Sequence, residues 1–150
     1  MTSLTPAEGP VWTAIRVAAR WAAVRRGVEG GQLLRVAEGR MLWLLRDGQP
    51  RTLRQLAEEL DLEQSTVNRQ VHAALDSGII VRSRPQDSAP YVVTMSDEGE
   101  VRFRTDMARL THVYEHALAV IPEPEQERFL EHLGAFVEGL DDASRATLVP

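Results

Sequence analysis

Leu53 to Arg84 reads LRQLAEELDLEQSTVNRQVHAALDSGIIVRSR. The spacing predicts two helices joined by a tight turn, followed by the first strand of a hairpin. Leu53, Leu56, Ala57 and Leu60 recur on one helical face, and Leu62 is placed to plug the turn. Val67, Val71 and Leu75 mark the second helix, which Gly78 stops. The face that these apolar residues leave free carries Gln64, Ser65, Thr66, Asn68, Arg69 and His72. Short hydroxyl and amide groups with a forked guanidinium are the chemistry that meets base edges and phosphates. The expected partner is therefore double-stranded DNA.

Working outward, a first helix is expected over about 10–28, with Trp12, Ile15, Ala18, Ala19 and Ala22 on one side. Gly27, Gly30 and Gly31 then break it. A short second helix covers roughly 37–46, and Asp47-Gly48-Gln49-Pro50 is a turn. Thr52 with Gln55 forms a capping box for the third helix. The fourth begins near Glu63 to Ser65 and ends at Ser77-Gly78. IIVRSR and Tyr91-Val92-Val93-Thr94 are the two strands of a small hairpin. Ser96 caps a long helix with Asp97 and Glu98 in its first turn. That helix is expected to reach Ile121, before Pro122-Glu123-Pro124. A last helix runs to about Leu140, striped by Phe129, Leu130, Leu133, Phe136, Val137 and Leu140.

This order gives a mainly α fold with a small β-hairpin (α+β), a winged helix-turn-helix with flanking helices. The flanking helices carry more apolar stripe than a small central core covers. A second copy of the chain in a two-fold dimer is the simplest cover. Two reading helices would then match a palindromic site with half-sites one helical turn apart.

The 150 residues suit one domain spanning 1–150. Cysteine is absent, which removes disulfides, thiol catalysis and a cysteine redox switch. No apolar run approaches the ~20 residues that span a bilayer. MTSLTPAEGP lacks the basic and apolar regions of a secretory signal, so a cytoplasmic location is expected. Net charge is −5, yet its distribution is uneven. Residues 1–84 hold 12 arginines against 9 acids, and residues 85–150 hold 5 against 13. The acidic excess lies away from the proposed reading helix, and local field governs DNA binding. All 17 basic residues are arginine. Arginine suits bidentate contact with phosphate or guanine, although GC-rich coding accounts for the bias equally well.

Leu56-Ala57-Glu58-Glu59-Leu60 followed by Gln64-Ser65-Thr66-Val67-Asn68-Arg69 resembles the helix-turn-helix of the MarR family of bacterial transcription regulators. Leu75-Asp76-Ser77-Gly78-Ile79-Ile80-Val81-Arg82 is similar to that family's entry to the wing. Val93-Thr94-Met95-Ser96-Asp97-Glu98-Gly99 is similar to its strand-to-helix junction. The resemblance implies a homodimer held by helices at about 10–35 and 96–141, with the winged helix-turn-helix at about 36–95. It implies DNA reading by the fourth helix and wing, here Gln64, Ser65, Thr66, Asn68, Arg69, His72, Arg82 and Arg84. It also implies a cytoplasmic regulator, by family habit a repressor, with no cofactor and no catalysis. A small effector in a crevice beside the DNA-binding part would change affinity for the operator. One position departs: where family wings usually carry Asp-Arg-Arg, this chain has Asp87-Ser88-Ala89. Either Arg82 and Arg84 supply the wing's charge, or this wing grips DNA weakly.

Trp12, Arg16 and Trp43 are the candidate effector-pocket residues, suited to an apolar or aromatic compound whose carboxylate pairs with arginine. His112-Val113-Tyr114-Glu115-His116 matches H-x-x-E-H, in which two histidines bind zinc and the glutamate activates water. No metal is expected, and His112 and His116 would be the ligands if one bound. Two other readings stay open beside the regulator: a winged-helix module that binds protein, and a zinc hydrolase.

Overall fold

The computed structural model describes residues 9–87 and 89–148. Ser88 of the wing and the first eight residues of MTSLTPAEGP, where no secretory signal is expected, lie outside the described residues. The chain forms helices α1 (Pro10–Gly30), α2 (Val36–Leu45), α3 (Leu53–Leu60), α4 (Gln64–Asp76), α5 (Asp97–Leu118) and α6 (Glu123–Leu148). Strands β1 (Arg51–Thr52), β2 (Ile80–Ser83) and β3 (Val92–Met95) complete it. It divides into two compact units, residues 1–108 and 109–150. The fold is mostly helical with a small antiparallel sheet.

In the first unit, α3 starts where Thr52 accepts a hydrogen bond from the Gln55 N–H and Gln55 Oε1 accepts one from the Thr52 N–H. Both otherwise orphaned donors of the helix start are thereby satisfied. The helix stops at Asp61, whose left-handed backbone (φ 53°) lets the Leu62 N–H reach back to the Ala57 carbonyl. This turn aims α4 away from α3 while Leu62 packs on the core. Leu56, Leu60, Val67, Val71 and Ala74 close the interface between the two helices with Met41, Leu42 and Leu45 of α2. Gly78, at φ 73°, then turns the chain into β2.

The sheet differs from the expected two-stranded hairpin. Its order is β1-β3-β2, all antiparallel, with Arg51 opposite Val93 and Thr52 opposite Val92. A strand of two residues shows no alternation for a sequence pattern to catch. Arg51 fixes its approach, donating to both oxygens of Asp47 and to Glu59 of α3. That bidentate contact, with help from the Gln49 N–H, holds the Asp47 carboxyl well below the usual carboxylate range. The Arg51 guanidinium is raised in turn, first by its bond to Asp47.

The junction from β3 to α5 is locked onto the end of α4. Ser96 Oγ donates to the Gly78 carbonyl at 2.6 Å and accepts the Gly99 N–H at 3.0 Å. Gly99 passes so close beneath β2 that a Cβ there would sit 2.0 Å from the Ile79 carbonyl oxygen. Further along α5, the buried carboxylate of Asp106 accepts the backbone N–H groups of Leu33 and Leu34, both at 2.9 Å. It thereby ties α5 to the segment leading into α2.

Helix ends differ from the expected ones in physically clear ways. The first helix continues through Gly27 to Gly30. The fifth ends at Leu118 rather than Ile121, because the Gln126 amide takes the Leu118 and Ile121 carbonyls and turns the chain. The sixth runs to Leu148, eight residues beyond the end of its apolar stripe at Leu140, with an Arg145–Asp141 pair one turn apart in the extension. No described residue of α1 is buried, and none of α6 is.

Candidate nucleic-acid interface

Helix α4 divides cleanly into two faces. Val67, Val71 and Ala74 are buried, while Gln64, Ser65, Asn68, Arg69 and His72 are exposed and Thr66 is half-buried. Burial of the one face leaves the other's orientation fixed by packing. From Gln64 to Leu75 the helix contains no carboxylate. The expected reading residues are thus presented together on one rigid element.

The wing residues are arranged differently. Arg82 and Arg84 are exposed on β2 and its exit. Their guanidinium carbons lie 4.4 and 4.1 Å from the ring centroid of Tyr91. Arg84 also donates to the Asp87 carbonyl at 3.0 Å. Sequence pattern marks Tyr91 only as a strand former. Its place one step before Val92 is the signal that it can meet both arginines.

Electrostatic partners separate the arginines into two groups. Arg25, Arg54, Arg102, Arg104 and Arg145 each pair with a carboxylate one helical turn away. Arg69, Arg82 and Arg84 have no carboxylate partner among the described residues. Their charge is left available to an external anion.

The other candidates are less assembled. Trp12 and Arg16 are exposed on α1, where Arg16 donates to the Thr13 hydroxyl. Trp43 lies on α2, 6.3 Å from the Phe103 ring, with the Arg46 guanidinium 4.1 Å from its centroid. Trp12 and Trp43 make no ring contact with each other among the described residues. A cavity of about 210 Å³ is lined instead by Val36, Ala37, Arg40, Leu60, Leu62 and Gln70. On the second unit, the His112 and His116 rings meet edge-on with centroids 4.3 Å apart, and His116 Nδ1 donates to the His112 carbonyl. Among the described residues, no three His, Cys, Asp or Glu side chains cluster as a metal site would require. No helix among them is long and apolar enough to cross a membrane.

Fold and surface together define a winged helix-turn-helix protein. The family model for MarR matches residues 34–89, the winged-helix part of the chain. Solved structures agree on the fold. The MarR family transcription regulator SP03579 superposes with a TM-score of 0.76 at 16% identity, covering 90% of this chain and 93% of its own. Streptococcus pneumoniae FabT, solved in complex with DNA, gives 0.71 at 16% identity, covering 87% and 99%. Rv1404 from Mycobacterium tuberculosis gives 0.71 at 17%, covering 89% and 97%. No curated protein matches the sequence.

Proposed function

We propose that this chain is a homodimeric, DNA-binding transcription regulator of bacterial cytoplasm, a repressor whose hold on a palindromic operator a small effector changes. The observation that carries the reading is the exposed, acid-free face of α4 bearing Asn68 and the unpaired Arg69. Arginine can pair with guanine and asparagine with adenine, each good bidentate contact contributing about 1–3 kcal/mol of discrimination. Gln64, Ser65, Thr66 and His72 flank them for phosphate and further base contact, with Arg82 and Arg84 on the wing. The DNA complex of FabT, a protein of the same fold, supports the partner class.

The dimer rests on unpartnered apolar surface. Helix α6 exposes Phe129, Leu130, Phe136, Val137 and Leu140, and α1 exposes Trp12, Ile15 and Trp21. A second copy would cover such stripes and make residues 1–150 one functional domain, reading DNA with about 36–95 and associating through 10–35 and 96–141. The function then needs no cofactor and no bond-making step. It is a coupling free energy between effector and operator binding. Trp12, Arg16 and Trp43 remain the residues proposed for an apolar or aromatic effector.

The test is retention of genomic DNA fragments by the full chain at several salt concentrations, with solution mass measured alongside. Selective retention that weakens with salt, by a protein of twice the chain mass, is expected. Retention without sequence preference would overturn the regulator reading in favour of a protein-binding module.

A further inference from the structure

The wing holds two arginines on one aromatic ring. Arg82 lies on β2 and Arg84 follows one residue past its end. The register ends with Ser83 opposite Val92, and Arg84 and Tyr91 are the next residues along the two chains leaving it. Both guanidinium carbons lie within 4.4 Å of the Tyr91 centroid, inside the range where a ring's negative face attracts a cation.

Two like charges on one ring repel each other, and no carboxylate among the described residues offsets either. The arrangement is therefore completed best by an anion from outside. Stacking occupies the flat face of a guanidinium and leaves its edge N–H donors in plane, ready for phosphate oxygens. Arg84 commits one of them to the Asp87 carbonyl, and the rest remain. Tyr91 is itself 41% exposed, whereas Val92 and Val93 beside it are buried. Core packing does not account for an aromatic side chain at this position.

We propose that Tyr91 is a positioning residue that gathers Arg82 and Arg84 into a double-guanidinium clamp for the phosphate backbone of duplex DNA. The clamp rests on the DNA-binding reading given above, and it adds grip without sequence preference. Ordering two long side chains before binding lowers the entropy lost when they close on phosphate.

The experiment titrates the full chain with a retained duplex and with a scrambled duplex of equal length, over a series of salt concentrations. Tyr91→Phe keeps the ring and is expected to bind within twofold of the wild type. Tyr91→Leu removes the ring and is expected to weaken both duplexes alike, by about five- to tenfold, with its melting temperature held. Replacing Arg82 and Arg84 by alanine should lower the slope of log affinity against log salt by about two, near one for each phosphate no longer neutralised. Adding Tyr91→Leu to that double variant should cost nothing more. Wild-type affinity in Tyr91→Leu, or an undiminished effect of that substitution in the arginine-free background, overturns the clamp. Arg69→Ala separates the two ideas. If it alone weakens selective binding, the reading helix stands and the clamp falls; if the wild type binds neither duplex, both fall.

Discussion

Leu56 on α3 is completely buried, whereas Phe136 on α6 is 46% exposed. The two represent two ways of using apolar side chains within one chain. In residues 9–108 the leucines and valines of α2, α3 and α4 converge with Ile79, Ile80 and Val93 into a closed core. In residues 109–148 no described side chain of α6 is buried, although phenylalanine, leucine and valine recur along it at helical spacing. The first pattern gains its stabilisation inside the chain. The second, on the dimer proposed above, would gain it only against another surface. The same sequence signal, an amphipathic stripe, therefore ends in a closed core in one region and on exposed surface in the other.

The largest test of this contrast is Gly99→Ala. A Cβ at 2.0 Å from the Ile79 carbonyl forces the strand and α5 apart, and overpacking against backbone costs about 3 kcal/mol or more. Thermal unfolding should show loss of most of the first unit's stability. A melting temperature unchanged by this substitution would mean that the junction does not lock the wing.

Leu56→Ala and Phe136→Ala form the next comparison. The first should cost about 2–5 kcal/mol at every protein concentration. The second should lower the melting temperature through weaker association, by an amount that shrinks as protein concentration rises. Equal, concentration-independent losses would erase the distinction between the two regions.

A smaller effect belongs to Asp47. Its carboxyl is depressed in the folded protein by Arg51, so its contribution is fully present above the ordinary carboxylate value of about 4. The contribution is lost as pH falls below that value toward the folded one. Acid unfolding of Asp47→Asn should have a shallower pH dependence in that window than the wild type. Indistinguishable acid limbs would contradict the strength given to the Asp47–Arg51 contact.

The helix-turn-helix is legible in the sequence because its signals are local and agree with one another. The Thr52–Gln55 box, the periodic leucines and Gly78 each mark a boundary that the backbone obeys. Strand β1 is not legible, since two residues, the second of them the α3 cap itself, carry no period and pair only with distant Val93 and Val92. Asp106 is hidden for a similar reason. A carboxylate on an apolar helix face needs partners, and Leu33 and Leu34 supply them from 73 and 72 positions away in the chain. The candidate site divides along the same line. The face of α4 follows from periodicity alone, but the meeting of Arg82 and Arg84 on Tyr91 depends on strand register.

The central claim is that the exposed face of α4 reads sequence in duplex DNA. Its most direct measurement is the ratio of affinities for a retained fragment and its scrambled counterpart, at one fixed salt concentration, for wild type and Arg69→Ala. Removing one bidentate pairing with a base should lower that ratio by about tenfold while leaving most of the scrambled-fragment affinity in place. An unchanged ratio would contradict the account.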